Sequence, residues 1–66
     1  MAERTARELA KELERLMNEH LDHIRKRTFG WVSEEEYRLQ EARLRRIREV
    51  SSEYLSALKR ERNEHD

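Results

Sequence analysis

The side chains best suited to hold a metal ion cluster in the first half of the chain, at Glu19, His20, Asp22 and His23. The spacing of three between His20 and His23 would place both imidazoles on one face of a helix. A di-metal centre in a helical bundle uses the motif Glu-x-x-His, but the residue three before His20 is Met17. We therefore expect no metal and no other cofactor, with His20 packed on an apolar face and with Asp22 and His23 in solvent.

Arginine is concentrated in the second half of the chain, where guanidinium groups could contact the phosphates of a nucleic acid. The arginines concerned are Arg38, Arg43, Arg45, Arg46 and Arg48. Glutamates are interleaved with them, and the chain as a whole has 15 basic and 15 acidic residues. Because nucleic-acid binding needs a basic patch, the pattern favours a solvated face of ion pairs, with RNA or DNA binding as the alternative.

The serines give little support for catalysis. Ser33 is predicted to cap a helix, and Ser51, Ser52 and Ser56 stand in no histidine-and-acid arrangement of recognisable spacing. The chain has no cysteine, which excludes disulfide and thiolate chemistry. We expect a protein that is not an enzyme.

The elements that carry these residues are two helices. The 66-residue chain has no proline and a single glycine, Gly30, near its middle. Helix-forming residues dominate on both sides of it, and a lone breaker divides such a chain in two. The sequence predicts one all-α unit over 1–66, with a first helix over about 4–28, a turn over 29–33 and a second helix over about 34–62. A turn this short makes the two helices antiparallel neighbours, that is, a two-helix antiparallel hairpin.

The turn carries the clearest local signals. Gly30 suits the left-handed backbone conformation that follows a helix C-terminus. Ser33 followed by Glu36 matches the capping box at the start of a helix. The turn also holds three apolar side chains, which we interpret as a plug at the end of the helical core or, as the alternative, a knob that binds a partner. They are Phe29, Trp31 and Val32.

Apolar side chains form a broad stripe on each helix. At ~100° per residue the stripe covers roughly 140° of the first helix and roughly 160° of the second. The residues predicted to form the core or a dimer interface are Leu9, Leu13, Leu16, Met17, His20, Ile24, Tyr37, Leu44, Ile47, Val50, Tyr54 and Leu58. A single neighbouring helix covers only a narrow seam, and small chains without disulfides or metals commonly oligomerise. We therefore expect a homodimer in which two hairpins form a four-helix bundle.

The expected function follows from this architecture. The sequence shows no signal peptide and no membrane span, so a cytoplasmic location without membrane contact is expected. We expect a structural or protein-interaction module whose first partner is a second copy of itself and whose outer surface or turn contacts another protein.

Overall fold

Two long helices and the turn between them make up the described part of the chain. The computed structural model describes residues 3–64, in which α1 (Ala6–Thr28) and α2 (Glu34–Glu64) pack against each other and no strand occurs. The all-α hairpin predicted from the sequence is confirmed. Its dimensions, 51 × 20 × 13 Å, are those of an elongated slab one helix thick. Within residues 3–64 no helical stretch is both long enough and apolar enough to cross a membrane.

The start of α1 is held by two oxygen acceptors. Thr5 is the N-cap, and its hydroxyl accepts a hydrogen bond from the backbone N–H of Glu8 at 3.2 Å. The carboxylate of Glu61, from the far end of α2, accepts one from the N–H of Ala6 at 2.7 Å. Both bonds satisfy N–H groups that a helix leaves unpaired in its first turn, where the helix dipole also favours negative charge. The second bond ties the end of α2 to the beginning of α1.

The end of α1 is a Schellman motif. The N–H groups of Gly30 and Trp31 donate to carbonyls of the last turn of α1, both at 3.1 Å. This closure needs a residue in the left-handed region, and Gly30 has a φ of 78°, as predicted. Ser33 then accepts a hydrogen bond at its hydroxyl from the N–H of Glu36 at 3.3 Å, which confirms it as the cap of α2.

The helices meet along one seam, whose residues recur at alternating spacings of three and four. Its buried apolar residues are Ala6, Leu9, Leu16, Val50 and Ala57, and the half-buried residues Leu13, Ile47 and Tyr54 pack against them. An alternation of three and four gives a stripe that one facing helix covers. The seam therefore uses only part of the broad apolar stripe on each helix.

One expectation about the seam is wrong. His23, expected in solvent, is only 6% exposed, and its ring meets that of Tyr37 edge to face with the centroids 5.9 Å apart. The three-four alternation explains its burial, because the spacing that runs through Leu16 and His20 reaches His23 next.

The turn aromatics are exposed in the single hairpin, and their role as a plug at the end of a bundle stays a prediction. Phe29 and Trp31 are 69% and 79% exposed, and Val32 is half-buried. A layer one helix thick has no enclosed interior at its end for these rings to fill, so they remain on the outside of the turn.

Candidate interaction surface

Ion pairs join the helices along one side of the seam, which we call the charged face. The pairs are Arg4–Glu53 at 2.8 Å, Arg46–Glu12 at 2.8 Å, Arg60–Glu3 at 2.6 Å and Arg43–Glu19 at 3.9 Å. Individual surface pairs of this kind contribute little to stability. Together they pair charges of α1 and of the segment before it with charges of α2, so these charged side chains find their partners within the hairpin.

Glu12 is the most heavily engaged member of the charged face. Its carboxylate accepts hydrogen bonds from Arg4 and from Nε of Arg46, the second at 2.9 Å. These cations, Arg4 before Arg46, lower the pKa of Glu12 against the opposing effect of partial burial. Arg4 continues the network to Glu53, so that the carboxylate of Glu12 connects the segment before α1 with two separate turns of α2.

A chain of hydrogen bonds crosses the seam in the half nearer the turn. Nη1 of Arg43 lies 2.5 Å from Oε1 of Gln40, and Nε2 of Gln40 lies 2.5 Å from Nδ1 of His20. Because a guanidinium can only donate, it draws the amide oxygen of Gln40 to itself and leaves the NH₂ group to donate to His20. The His20 ring therefore accepts at Nδ1 and carries its proton at Nε2.

This histidine region is not arranged as a metal centre. His20 faces Gln40 and His23 faces Tyr37, and neither neighbour continues a set of carboxylate or imidazole ligands. Among residues 3–64 no group of three or more such side chains is placed to hold a metal ion.

The other side of the seam is apolar, and its residues recur every seven positions on both helices. We call this side the apolar face, formed by Ala10, Met17 and Ile24 of α1 and by Tyr37, Leu44, Ser51 and Leu58 of α2. A repeat of seven keeps side chains on one face of a helix. The five large side chains among them are all 42–45% exposed. Each of these side chains is therefore partly covered within the hairpin and partly open to solvent.

Leu13 and Ile47 lie between the seam and the apolar face. Both stand near the middle of the apolar stripes predicted from the sequence, and both pack against the core, yet each is only half-buried. The middle of an apolar stripe is ordinarily its most buried part. In this hairpin the middle of each stripe lies between the facing helix and the open apolar face. The single chain therefore covers only about half of Leu13 and Ile47.

The five arginines of the predicted nucleic-acid face do not form one patch. Arg43 and Arg46 belong to the charged face, where they pair with glutamates of α1. Arg38, Arg45 and Arg48 are exposed on the outer side of α2. The stretch is therefore divided between two sides of one helix, and two of its members already have acidic partners.

Phe29 and Trp31 form a smaller apolar site of their own. They line a shallow hollow together with Asp22, Arg25 and Lys26, on the outer side of α1. This hollow is separate from the apolar face, which lies on the other side of the seam.

Two small residues of the apolar face escaped the sequence-based interface. The predicted interface contains only larger side chains, whereas the seven-residue repeat through Met17 and Leu44 also contains Ala10 and Ser51. By its fold the protein is an all-α helical hairpin with one charged and one apolar face. Comparison with protein-family models, with curated proteins and with solved structures finds no match to the chain.

Proposed function

We propose that the protein is a non-enzymatic structural or protein-interaction module that self-associates through its apolar face, two hairpins forming a four-helix bundle. The observation that supports this proposal is the seven-residue repeat of half-exposed apolar side chains on both helices. It runs along the side of the hairpin that lacks the ion pairs of the charged face. Contiguous exposed apolar surface of this extent is uncommon on a monomer and is typical of an interaction site.

The solvent-exposed surface area of the hairpin favours a large interface with a partner. The hairpin exposes 5758 Å², whereas a compact monomer of 8.2 kDa exposes about 4,500 Å². The excess, roughly 1,200 Å², is what each partner contributes to the larger stable interfaces. A second copy offers a matching apolar face of equal length, and covering it would complete the burial of Leu13 and Ile47.

The test compares two leucines of α2 that are both exposed but lie on different faces. Leu44 belongs to the apolar face, whereas Leu39 lies beside Glu36 and Arg43 on the charged face. We expect light scattering to give twice the chain mass for the wild type and for Leu39→Glu at micromolar concentration. Leu44→Glu should lose the dimer, because it places a charge within the proposed interface. A monomeric wild type, or equal effects of the two substitutions, would contradict the proposal.

Nucleic-acid binding by the outer arginines of α2 is the weaker alternative, since the arginine stretch is divided. It predicts that a labelled RNA or DNA duplex binds the wild type and is released steeply as salt rises. Removal of the exposed charges by Arg38→Gln and Arg45→Gln together should then abolish binding while leaving the mass unchanged.

A further inference from the structure

We infer that the two hairpins pack with their turns at opposite ends, an arrangement set by the sizes of the side chains along the apolar face. This inference rests on the self-association proposed above and adds the orientation of the second copy.

Side-chain size differs between the two ends of the part of the apolar face where α1 and α2 lie side by side, which leaves out Leu58, level with the segment before α1. The Glu19–Arg43 pair places Met17 and Leu44 at about the same level, near the middle of the paired length. Seven residues nearer the turn, the face carries the large side chains of Ile24 and Tyr37. Seven residues farther from the turn, it carries only Ala10 and Ser51. Each step is about 10 Å along the helix axis.

When the turns lie at opposite ends, a twofold axis crosses the bundle at the level of Met17 and Leu44. Each helix then packs antiparallel against the same helix of the partner. Ile24 then meets the partner's Ala10, and Tyr37 meets the partner's Ser51. The central Met17 and Leu44 meet their own copies. Two of these three levels therefore combine a large residue with a small one, and the central level combines two large ones. No level brings two small residues together, so side-chain volume is spread along the interface.

With the turns at the same end, α1 faces α2 of the partner at equal level. Ile24 would meet the partner's Tyr37, and Ala10 would meet the partner's Ser51. The two faces would be crowded near the turns and separated by a gap at the other end. Protein interiors are packed to nearly uniform density, and both gaps and overpacking destabilise them.

Charge at the margin of the apolar face does not distinguish the arrangements. Glu41 and Arg48 flank Leu44 along this margin. With turns at opposite ends, Glu41 comes level with the partner's Arg48. With turns at the same end, Arg48 comes level with the partner's Glu14. Opposite charges meet in both cases, so side-chain volume decides the orientation.

Cross-linking between single-cysteine chains tests the inference, since the unmodified chain has no cysteine. Ala10→Cys is unfolded and refolded together with Ile24→Cys in one mixture and with Ser51→Cys in a second. Both mixtures are treated with a short bis-maleimide, and linked heterodimers are counted by mass spectrometry. We expect abundant links in the first mixture and at least tenfold fewer in the second, because in the second the two thiols lie at opposite ends of the bundle.

The other outcomes are informative in different ways. Links concentrated in the second mixture would overturn the inference in favour of turns at the same end. Links in neither mixture, with a dimeric mass retained, would overturn it by placing the interface elsewhere. A monomeric mass for every chain, including the wild type, would remove the proposed self-association itself.

A size exchange gives a second measurement that does not depend on cysteine. Ala10→Ile alone should lower the denaturant midpoint, because it collides with the partner's Ile24, and Ile24→Ala alone should lower it by leaving a cavity. The double variant should recover much of the loss, because each helix again presents one large and one small residue. With turns at the same end, Ala10→Ile would instead fill a gap and raise the midpoint, which would overturn the inference.

Discussion

Single residues of the charged face fix how α1 and α2 are aligned. Glu12 binds two arginines, of which Arg4 lies before the start of α1 and Arg46 lies on α2. Such a three-membered arrangement holds its geometry better than an isolated surface pair does. It also makes the protonation of one carboxylate a measurable part of the stability of the hairpin.

Glu12→Gln is expected to change the acid limb of the stability profile. Hydrogen bonds from Arg4 and then from Arg46 lower the pKa of Glu12 from its usual 4.5. A lowered pKa in the folded state means that the unfolded chain binds the proton more readily. The contribution of Glu12 is therefore complete above pH 4.5 and is lost as pH falls through its folded value. The variant should be less stable than the wild type at pH 7 and should lose less on acidification.

Urea unfolding at a series of pH values from 7 to 3 measures this difference. Glu14→Gln is the matched control, since Glu14 is an exposed glutamate two residues along α1 and the substitution removes the same charge. The control should follow the wild type closely. Parallel acid limbs for Glu12→Gln and the wild type would show that the ion pairs of Glu12 do not form in solution.

At the scale of elements, the turn is specified by backbone conformation rather than by contact. Gly30 has a positive φ, and a Cβ placed on it would meet nothing within 4 Å. The restriction is therefore conformational, and the turn tolerates added volume but disfavours an L-residue in the left-handed region.

Gly30→Ala should destabilise the hairpin by about 1 kcal/mol. The left-handed region costs an L-residue roughly 1–2 kcal/mol, and the reduced freedom of the unfolded chain offsets roughly 0.4–1 kcal/mol of this. Gly30→Asn is the comparison, because asparagine enters that region more readily, and it should lose less. Denaturant midpoints of the three proteins measure the order, and an equal loss for both variants would assign the effect to something other than φ.

The local elements could be predicted because their signals are local. Gly30, Ser33 and Glu36 stand within a few residues of the groups they satisfy, and the sequence specifies all three. The Thr5 cap has an equally local signal in the Thr5–Glu8 spacing, although the predicted start of the first helix does not use it. Glu61 was not readable, because its bond to Ala6 joins residues 55 positions apart along the chain.

A helical projection alone does not separate the seam from the apolar face. Broad stripes of 140° and 160° contain both the seam and the apolar face, and their middle points between the two. Projection therefore favoured Leu13 as a central core residue and placed His23 in solvent. The three-four alternation separates the two surfaces: it assigns His23 to the seam and the seven-residue repeat to the apolar face.

At the scale of the whole molecule, the hairpin encloses very little. A slab 13 Å thick has a single line of buried residues, with Leu9 and Val50 the largest that are almost fully covered. Chains of this size rarely obtain enough stability from one core, and oligomerisation is a usual solution. We therefore expect the stability of the protein to depend on the self-association proposed above.

A comparison of Leu13→Ala with Leu16→Ala measures how much of that stability belongs to the assembly. Leu16 is 5% exposed within the single hairpin, so its truncation should destabilise by about 2–5 kcal/mol in any state of association. Leu13 is only half-buried by the hairpin. In a bundle it points to the common centre of four helices, and its truncation should cost about as much as that of Leu16. Leu13→Ala should also weaken self-association, because folding and association are linked.

The measurement is urea unfolding at two protein concentrations tenfold apart, with the mass determined at each. A clearly smaller loss for Leu13→Ala, with a midpoint that does not change with concentration, would show that Leu13 remains at a solvent-facing edge and that the hairpin is stable by itself.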